Sequence, residues 1–389
     1  MRNITGPPVV GDDFFGREEE FNYVWSRIVN GNNHVFPSPR RVGKTSFAFK
    51  LLDKAKSEGW NTIDINLEKS ATNEIDFLEA FVKTLQELSF WEKIKAKGNS
   101  LLNFISQLRP SFTIGGAEAK LEWERERESV YSQVADLLHH DEKTLIFFDE
   151  LTVLLTKILK SDADGKKKVT NFLHWLRSLR QVKDSKIRWI FCSSVGIENF
   201  THQHGISDAI NDVPDFFLKS YSKGKSMEML AKLGHDNNLP LEKDLQSAVV
   251  DKLEYCLPYF LQIIFEKIKY LKEIENQPLE IKIVDKAYKG LIEEKHFNTW
   301  VERLEEQYNH NKQFAFAVLK QLCQEKKGLK RKQIINAIAA AGVPPEKTDE
   351  IVSLLLYMLK NDGYIMEEDG IYRFRSPLLR DFWFNRHVK

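Results

Sequence analysis

The sequence has few cysteines and no long uncharged apolar run. Its three cysteines, Cys192, Cys256 and Cys323, lie far apart, so they form neither a disulfide framework nor the spacing of a zinc site. No uncharged apolar run reaches the ~18–20 residues that a membrane-spanning helix needs. The first residues hold no apolar signal-peptide core, so we expect a cytoplasmic protein.

Net charge is almost absent as well. The 57 lysines and arginines balance 56 aspartates and glutamates, which leaves a formal charge of +1. This balance excludes a protein whose whole surface coats DNA or an anionic membrane, although a local basic patch stays open. What is present is an ordinary globular composition in a chain of 389 residues, which is long enough for two or three domains.

The first 220 residues alternate strand patterns with helix patterns. Four short apolar or alternating runs are typical of strands: 34–36, 61–67, 144–148 and 188–192. The run 144–148 is almost wholly apolar, as in a parallel strand that is buried on both faces. Residues 110–122 predict a small hairpin that turns at Gly115 and Gly116. Over residues 1–220 the pattern predicts an α/β domain, in which helices cover both faces of a parallel sheet.

The rest of the chain has a different character. Residues 221–305 are helical almost throughout, with breaks near Pro240 and Pro278, and they predict an all-α domain. Residues 306–389 contain three helix patterns and then two short strands, which is the order of a winged helix. The sequence therefore divides into three predicted domains.

A short segment after the first strand points to phosphate. Residues 38–45 match the pattern G-x-x-x-x-G-K-[ST], except that Ser38 replaces the first glycine. Backbone N–H groups at a helix N-terminus attract phosphate, and Gly43 lets the backbone approach it. Lys44 would lie between the β- and γ-phosphates, and the Thr45 hydroxyl would ligate Mg²⁺. If Ser38 needs a positive φ, that conformation costs about 1–2 kcal/mol.

Two adjacent acids follow the apolar strand at 144–148. Asp149 would hold the metal with its water shell, and Glu150 would polarise the attacking water as general base. Acids also end many strands as simple caps, but this apolar strand downstream of a phosphate loop favours nucleotide hydrolysis. The chain has no [NT]-K-x-D motif for guanine, so ATP is favoured over GTP. Ser194 either senses the γ-phosphate or belongs to a plain turn after the strand.

At these motifs the chain resembles the archaeal-type, STAND-related AAA+ ATPases of prokaryotes. Residues 14–18 resemble the entry motif that lies against the nucleotide base in that family. Residues 40–46 are close to its Walker A motif, and the strand that ends in Asp149 and Glu150 is similar to its Walker B motif. Residues 255–259 stand where the family's lid carries a G-x-P motif, with Cys256 at the glycine.

The resemblance implies an ATPase core at 1–220, a helical lid at 221–305 and a winged helix at 306–389. It implies ATP or ADP with Mg²⁺ as cofactors, Lys44 and Glu150 as catalytic residues, and Thr45 and Asp149 as metal ligands. The residues implied for nucleotide binding are Phe15, Gly16, Arg17, Ser38, Pro39, Arg40, Arg41, Val42, Gly43, Lys44, Thr45, Ser46, Ser194 and Pro258. Because Ser38 and Cys256 replace family glycines, we expect slow hydrolysis.

These observations predict a nucleotide-controlled switch that signals to a protein partner or to a second copy of the chain, in prokaryotic signalling or defence. The alternative is a DNA-binding regulator, or a DNA-remodelling ATPase of the transposition type, that uses its winged helix. A small-molecule P-loop kinase is disfavoured, because such kinases need neither a lid nor a winged helix.

Charge at the winged helix bears on the DNA alternative. Lysines and Arg331 cluster at residues 326–332, where they could contact phosphates. The third helix begins with Glu346, Asp349 and Glu350, which would meet the duplex with acids. We therefore expect protein docking rather than DNA reading, and no membrane. Arg177 and Arg180 are either an arginine finger or part of a solvated helix face.

Overall fold

The chain forms two compact units in a computed structural model that describes residues 1–37, 40–113, 117–161, 163–193, 196–308 and 311–389. The sheet unit consists of residues 17–37 and 44–217. The helical unit consists of residues 1–16, 38–43 and 218–389. The predicted phosphate loop is thus divided, because its residues up to Gly43 belong to the helical unit and Lys44 begins a part of the sheet unit.

The sheet unit alternates strands with helices, as the sequence predicts. Its strands are β1 (His34–Phe36), β2 (Asn61–Asn66), β3 (Thr144–Asp149) and β4 (Ile187–Cys192). Its helices are α1 (Glu18–Val29), α2 (Lys44–Ser57), α3 (Leu67–Ser70), α4 (Glu74–Leu85), α5 (Trp91–Thr113), α6 (Ala117–Leu137), α7 (Leu151–Leu159), α8 (Gly165–Arg180) and α9 (Ile197–His204).

The four strands form a parallel sheet in the order β1-β4-β3-β2. All six residues of β3 are buried. Phe147 contacts Phe49 of α2 on one face, with 6.1 Å between ring centroids. Phe148 contacts Phe77 of α4 on the other face, at 5.4 Å. Because successive side chains of a strand point to opposite faces, the apolar pattern of β3 matches a sheet that is covered on both sides.

The outer edge of β1 is covered by the segment 214–216. The N–H of Val35 donates to the carbonyl of Pro214 at 3.1 Å, and the N–H of Phe216 donates to the carbonyl of Val35 at 2.8 Å. The ring of Phe216 packs against Phe36 and Phe47, with 6.1 Å between centroids in each pair. The middle of this edge strand is therefore paired on its outer side.

The hairpin predicted at 110–122 is wrong. Residues 110–113 lie in α5 and residues 117–122 lie in α6, while Gly115 and Gly116 are outside the described residues. Helix α5 packs against both α4 and α6. The short run of β-forming residues before Gly115 suggested strands, but strand propensity is weak against the tertiary packing of a long helix.

The first part of the helical unit after residue 217 consists of helices. They are α10 (Lys223–Asp236), α11 (Lys243–Leu253), α12 (Pro258–Glu273), α13 (Ile281–Glu293) and α14 (Asn298–Gln307). The predicted breaks at Pro240 and Pro278 separate α10 from α11 and α12 from α13. A further break at 254–257 was not predicted. Pro258 occupies the first position of α12, where proline lacks only an N–H that has no helical partner.

The winged helix follows in the order that the sequence predicts. Its elements are α15 (Lys312–Gln324), β5 (Leu329–Lys330), α16 (Arg331–Ala340), α17 (Pro345–Asn361), β6 (Ile365–Glu368), β7 (Ile371–Phe374) and α18 (Pro377–His387). The strands form an antiparallel sheet in the order β5-β7-β6. Asp369 and Gly370, both with positive φ, make the tight turn between β6 and β7.

The compact units divide the chain at 16/17, 37/38, 43/44 and 217/218. The two domain boundaries that the sequence suggests, at 220/221 and 305/306, stay predictions. In the part of the chain that the structure describes, no helix combines the length and the apolar character that crossing a bilayer requires.

Candidate functional site

The carboxyl ends of the parallel strands carry the polar residues to which the sequence points. β1 ends at Phe36, just before the predicted phosphate loop, and β3 ends at Asp149. β4 ends at Cys192, which Ser193 follows, and β2 ends at Asn66. Since the strands are parallel, these residues lie at one edge of the sheet, and open α/β sheets bind their ligands at that edge.

Helix α2 places two predicted site residues against the end of β3. It begins at Lys44, so Lys44 and Thr45 occupy its first turn, and Lys44 is buried. The Thr45 hydroxyl Oγ1 donates to Oδ2 of Asp149 at 3.0 Å. N–H groups of a first helical turn have no partner within the helix and carry the positive end of its dipole. The sheet unit therefore brings a lysine, a hydroxyl, a carboxylate and a helix N-terminus together.

Asp149 has an unusual electrostatic environment. Its side chain is 6% exposed, and burial raises its pKa to about 6, with a further rise from the charge of Glu150. Hydrogen bonds from Thr45 and Cys192 and the charge of Lys44 oppose this rise. At neutral pH Asp149 is a buried anion with little hydration, which favours the approach of a cation.

Glu150 adopts a strained backbone conformation next to Asp149. Its φ is +58°, in the left-handed region, and its N–H donates to Oδ1 of Asp149 at 3.1 Å. A non-glycine residue in this region costs about 1–2 kcal/mol, and such strain is concentrated at functional sites. Glu150 is half-buried, so the end of β3 presents two adjacent acids that differ in their access to water.

The end of β4 supplies a thiol to the same edge. Cys192 is fully buried, and burial raises its pKa well above the usual range, so the thiol is neutral. Ser193 shares a short hydrogen bond with the hydroxyl of Thr152 in α7. Ser194, the predicted sensor of the γ-phosphate, and Val195 lie outside the described residues.

The remaining residues of the phosphate loop lie in the helical unit. Arg41 has φ +65° and Gly43 has φ +94°, so both are left-handed. The guanidinium carbon of Arg41 lies 4.3 Å from the centroid of the Tyr259 ring. Such a cation–π contact contributes about 0.5–2 kcal/mol, comparable to the backbone strain at Arg41. Val42 is buried.

Other predicted residues of this loop are less informative. Ser38 and Pro39 lie outside the described residues. Burial raises the pKa of Tyr364 well above its usual range, and the nearby charge of Arg40 opposes that rise. Ser46 is buried in the first turns of α2.

The segment predicted to contact the nucleotide base is held within the helical unit. The Tyr221 hydroxyl donates to the carbonyl of Phe15 at 2.6 Å, and the Nζ atom of Lys225 lies 5.0 Å from the centroid of the Phe15 ring. Gly16 has φ +69°, and a Cβ there would lie 3.0 Å from Cε of Lys225 and 3.3 Å from the hydroxyl of Tyr221. The positive φ favours glycine at position 16, where a Cβ would fit tightly against both side chains.

Two further predicted residues take structural positions. Arg17, in the sheet unit, has φ +70° and forms an ion pair with Glu20 at 2.8 Å before α1. Pro258 begins α12. In the adjoining loop 254–257 the left-handed residue is Glu254, with φ +53°, so the backbone of this loop does not need a glycine at Cys256.

Arg180 is committed within the sheet unit. Its guanidinium donates to both carboxylate oxygens of Asp212, at 3.1 and 2.8 Å, and its side chain is 1% exposed. Arg177 donates to the carbonyl of Asp208 at 2.5 Å. For Arg180 the expectation of a solvated helix face is wrong, because its side chain is buried in this ion pair. Drawing Arg180 away from Asp212 would leave a buried charge without its partner, which is costly.

The chemistry of Thr45 and Asp149 fits Mg²⁺. Among the described residues, no group of three or more His, Cys, Asp or Glu side chains is placed to hold a metal ion. Mg²⁺ typically takes one or two carboxylates together with substrate phosphates and water, and it prefers oxygen ligands. A hydroxyl and a carboxylate whose oxygens are 3.0 Å apart are such ligands. Water or a bound phosphate could supply the remaining oxygens of a metal at this edge.

The sequence motifs did not predict several contacts of these residues. Cys192 bonds to Asp149, Tyr259 stacks on Arg41, and Tyr221 and Lys225 enclose Gly16. The position of Tyr259 directly after Pro258 was a signal that it belongs to a motif. Tyr221 and Lys225 carried no such signal, because their contacts arise only from tertiary structure.

Comparison with known proteins yields structural matches alone. No protein-family model matches the chain, and no curated protein does. The Walker-type ATPase paby2304 of Pyrococcus abyssi is similar with a TM-score of 0.64 at 16% identity, over 98% of this chain and 99% of that chain. The Aeropyrum pernix ORC2 protein, solved in ADPNP–ADP complexes, is similar with a TM-score of 0.57 at 13% identity, over 99% and 97%.

A weaker match is the Aeropyrum pernix ORC1 protein, which was solved in complex with DNA. Its TM-score is 0.44 at 12% identity, over 98% of this chain and 94% of that chain, and it supports no inference. At such identities the stronger matches establish the fold. The chain has the AAA+-like P-loop NTPase fold, a parallel sheet with helices on both faces that is followed by an all-α lid and a C-terminal winged helix.

Proposed function

We propose that the chain binds ATP with Mg²⁺ and hydrolyses it slowly, as a switch whose nucleotide state is signalled to a partner protein. The observation that carries this proposal is the 3.0 Å hydrogen bond from Thr45 to Asp149 at the start of α2. It joins the two oxygen ligands that P-loop NTPases use for their metal. The similarity in fold to a Walker-type ATPase supports the same activity.

In this proposal Lys44 and the N-terminus of α2 bind the β- and γ-phosphates. The backbone N–H groups of Lys44, Thr45 and Ser46 in the first turn of α2 would donate to the phosphates. Burial of Lys44 strengthens its attraction for phosphate, because little water screens the charge. Arg40 and Arg41 add positive charge to the same loop.

Thr45 and Asp149 would hold the Mg²⁺ ion. When bound, Mg²⁺ neutralises charge on the β- and γ-phosphate oxygens. Asp149 must be ionised for this role, and its pKa of about 6 leaves it ionised at neutral pH. Glu150 accepts a proton from the attacking water on its carboxylate, which its half-buried position leaves accessible to water.

The family resemblance supplies the finer proposals. Phe15, Gly16 and Arg17 are proposed to lie against the adenine base, with Pro258 on the lid and Ser194 near the γ-phosphate. The STAND relationship and the roles in prokaryotic signalling or defence depend on sequence motifs alone. The two stronger structural matches are described as a Walker-type ATPase and as an ORC2 protein, and neither description names a STAND protein.

Two substitutions test the site assignment by calorimetric titration with ATP and by phosphate release. Lys44→Ala should weaken ATP binding about 100-fold or more, because the phosphates no longer meet a buried positive charge. Lys54→Ala, an exposed lysine on the same helix, is the matched control and should bind ATP as the unaltered protein does. Unchanged affinity in Lys44→Ala would refute the assignment.

Glu150→Gln separates binding from hydrolysis. It should bind ATP within about threefold of the unaltered protein but release phosphate about 100-fold more slowly, because general-base catalysis typically contributes 10²–10⁴-fold. Full hydrolysis in this variant would show that Glu150 is not the base.

The switch itself is tested by partner capture. Glu150→Gln loaded with ATP should retain a protein, or a second copy of the chain, that Lys44→Ala does not retain. Equal capture by both variants would contradict control by nucleotide.

The alternative function, DNA binding through the winged helix, also has a specific observation in its favour. Lys326, Lys327, Lys330 and Lys332 are exposed at one edge of the winged helix. Opposing them, Glu346 and Asp349 are exposed at the start of α17. The comparisons do not support the expected ranking of a protein partner above DNA, so DNA binding stays an alternative proposal.

A salt titration of duplex binding decides this question. If the winged helix binds DNA, affinity falls steeply with salt, and replacing Lys326, Lys330 and Lys332 by alanine lowers the slope by about one for each phosphate that is no longer neutralised. Lys243→Ala, an exposed lysine of α11 outside the winged helix, is the control. Absence of duplex binding at low salt removes the alternative.

A further inference from the structure

Arg41 combines a strained backbone with an aromatic contact. Its φ of +65° is left-handed, which a residue with a Cβ rarely adopts without support from its surroundings. Its guanidinium lies over the ring of Tyr259, 4.3 Å from the centroid, and Tyr259 is buried at the start of α12. The contact with the Tyr259 ring supports this backbone conformation of Arg41.

Tyr259 is held in turn by a chain of polar contacts. Its hydroxyl bonds to Nδ1 of His296 at 3.1 Å, and Nε2 of His296 lies 2.9 Å from Oε2 of Glu294. The other oxygen of Glu294 accepts a hydrogen bond from Nζ of Lys267 at 2.7 Å. These contacts fix the direction of the Tyr259 ring, because its hydroxyl is tied through the turn after α13 to Lys267 of α12.

Gly290 allows the last of these contacts to form. A Cβ at position 290 in α13 would lie 2.5 Å from Cε of Lys267, so the lysine side chain crosses the bare backbone of this glycine to reach Glu294. Glycine in a helix interior is unfavourable relative to alanine. Its presence here is explained by the room that Lys267 needs.

We propose that Tyr259 is a positioning residue, which preorganises the phosphate loop for nucleotide by holding Arg41 in its left-handed conformation. This inference rests on the proposed nucleotide site and adds Tyr259 to the residues that serve it. A loop that is already in its binding conformation loses less entropy on binding, so the clamp contributes to affinity without touching the ligand.

Graded variants of Tyr259 separate the ring from the hydroxyl. Tyr259→Leu removes both, and we expect ATP affinity to fall about tenfold, the scale of a half-buried cation–π contact. Tyr259→Phe keeps the ring and should stay within about threefold, since it loses one hydrogen bond. Tyr372→Leu, a half-buried tyrosine in β7, is the matched control and should bind ATP normally. Equal losses in the Phe and Leu variants would overturn the clamp.

A double-mutant cycle tests the pairing with Arg41. Arg41→Gly removes the side chain and relieves the strain of the positive φ, so Tyr259→Leu should change ATP affinity less than twofold in that background. A purely structural role of Tyr259 predicts the full tenfold loss in both backgrounds. That result would refute the proposal.

Trypsin gives a readout that needs no nucleotide. Cleavage after Arg41 in the free protein, followed by mass spectrometry, should be about tenfold faster in Tyr259→Leu than in the unaltered protein or in Tyr259→Phe, because cleavage follows the population of the open loop. If ATP does not bind at all, the proposed function fails, whereas faster cleavage still supports the clamp. If ATP binds and cleavage is unchanged, the clamp alone fails.

Discussion

The acid at the end of β3 and an acid on the winged helix differ in their exposure to water. Asp149 is 6% exposed and accepts a hydrogen bond from the hydroxyl of Thr45. Asp349 is 77% exposed and forms an ion pair with Arg331 at 2.8 Å. Burial makes the first charge energetically costly and sensitive to pH, whereas water screens the second. The proposed metal site therefore depends on a single buried charge, whereas any DNA binding by the winged helix would depend on the sum of its exposed charges.

The same chemical change at both places gives the largest expected contrast. Asp149→Asn should weaken Mg²⁺-dependent ATP binding about 10–100-fold, because a charged oxygen ligand becomes neutral while the side chain keeps its shape. Asp349→Asn should leave that affinity unchanged. Calorimetric titration with and without Mg²⁺ measures the ATP affinity of both variants. Equal losses of affinity in the two variants would contradict the special role of Asp149.

Stability should follow pH differently at the two acids. The pKa of Asp149 rises from 3.8 in the unfolded chain to about 6 in the folded one, so between these values the folded state binds more protons. The free energy of unfolding therefore falls as pH rises from 4 to 6 and stays lower above that range, by about 2–3 kcal/mol.

Urea denaturation without Mg²⁺ or nucleotide checks this penalty. Relative to the unaltered protein, Asp149→Asn should gain stability between pH 4 and pH 7, and Asp349→Asn should not. A difference between Asp149→Asn and the unaltered protein that is constant with pH would mean that Asp149 ionises normally in the folded state.

The smallest effect belongs to the surface ion pair. Arg331→Ala should lower the free energy of unfolding by about 0.2–1 kcal/mol, and the loss should shrink in high salt because exposed charges are screened. Denaturation in low and high salt measures it. A large, salt-independent loss would show that Arg331 stabilises the winged helix by packing instead.

The sequence predicts the strands of the sheet and the breaks between helices well, because the signals for both are local. The apolar run of β3 and the proline breaks around α11 and α13 dictate elements without help from distant residues. The hairpin at 110–122 failed for the opposite reason, since α5 and α6 owe their length to packing against α4 and each other. Backbone conformation inside a long helix cannot be read from a few β-forming residues.

The candidate site likewise contains residues that local motifs predict and contacts that only the folded structure reveals. Lys44, Thr45 and Asp149 follow from motifs whose spacing reflects phosphate and metal chemistry, and the structure joins Thr45 to Asp149. The contact of Arg41 with Tyr259 joins residues that are more than 200 positions apart, and no periodicity encodes it. Charges that titrate unusually, such as Asp149, likewise depend on burial that only the folded chain defines.

The pairing of Val35 with residues 214–216 has a consequence for assembly. Many proteins associate by continuing a sheet from one copy into the next through an open edge strand. Here the N–H and carbonyl of Val35 are already occupied by Pro214 and Phe216. A second copy therefore cannot extend the sheet by pairing with Val35 in the middle of β1.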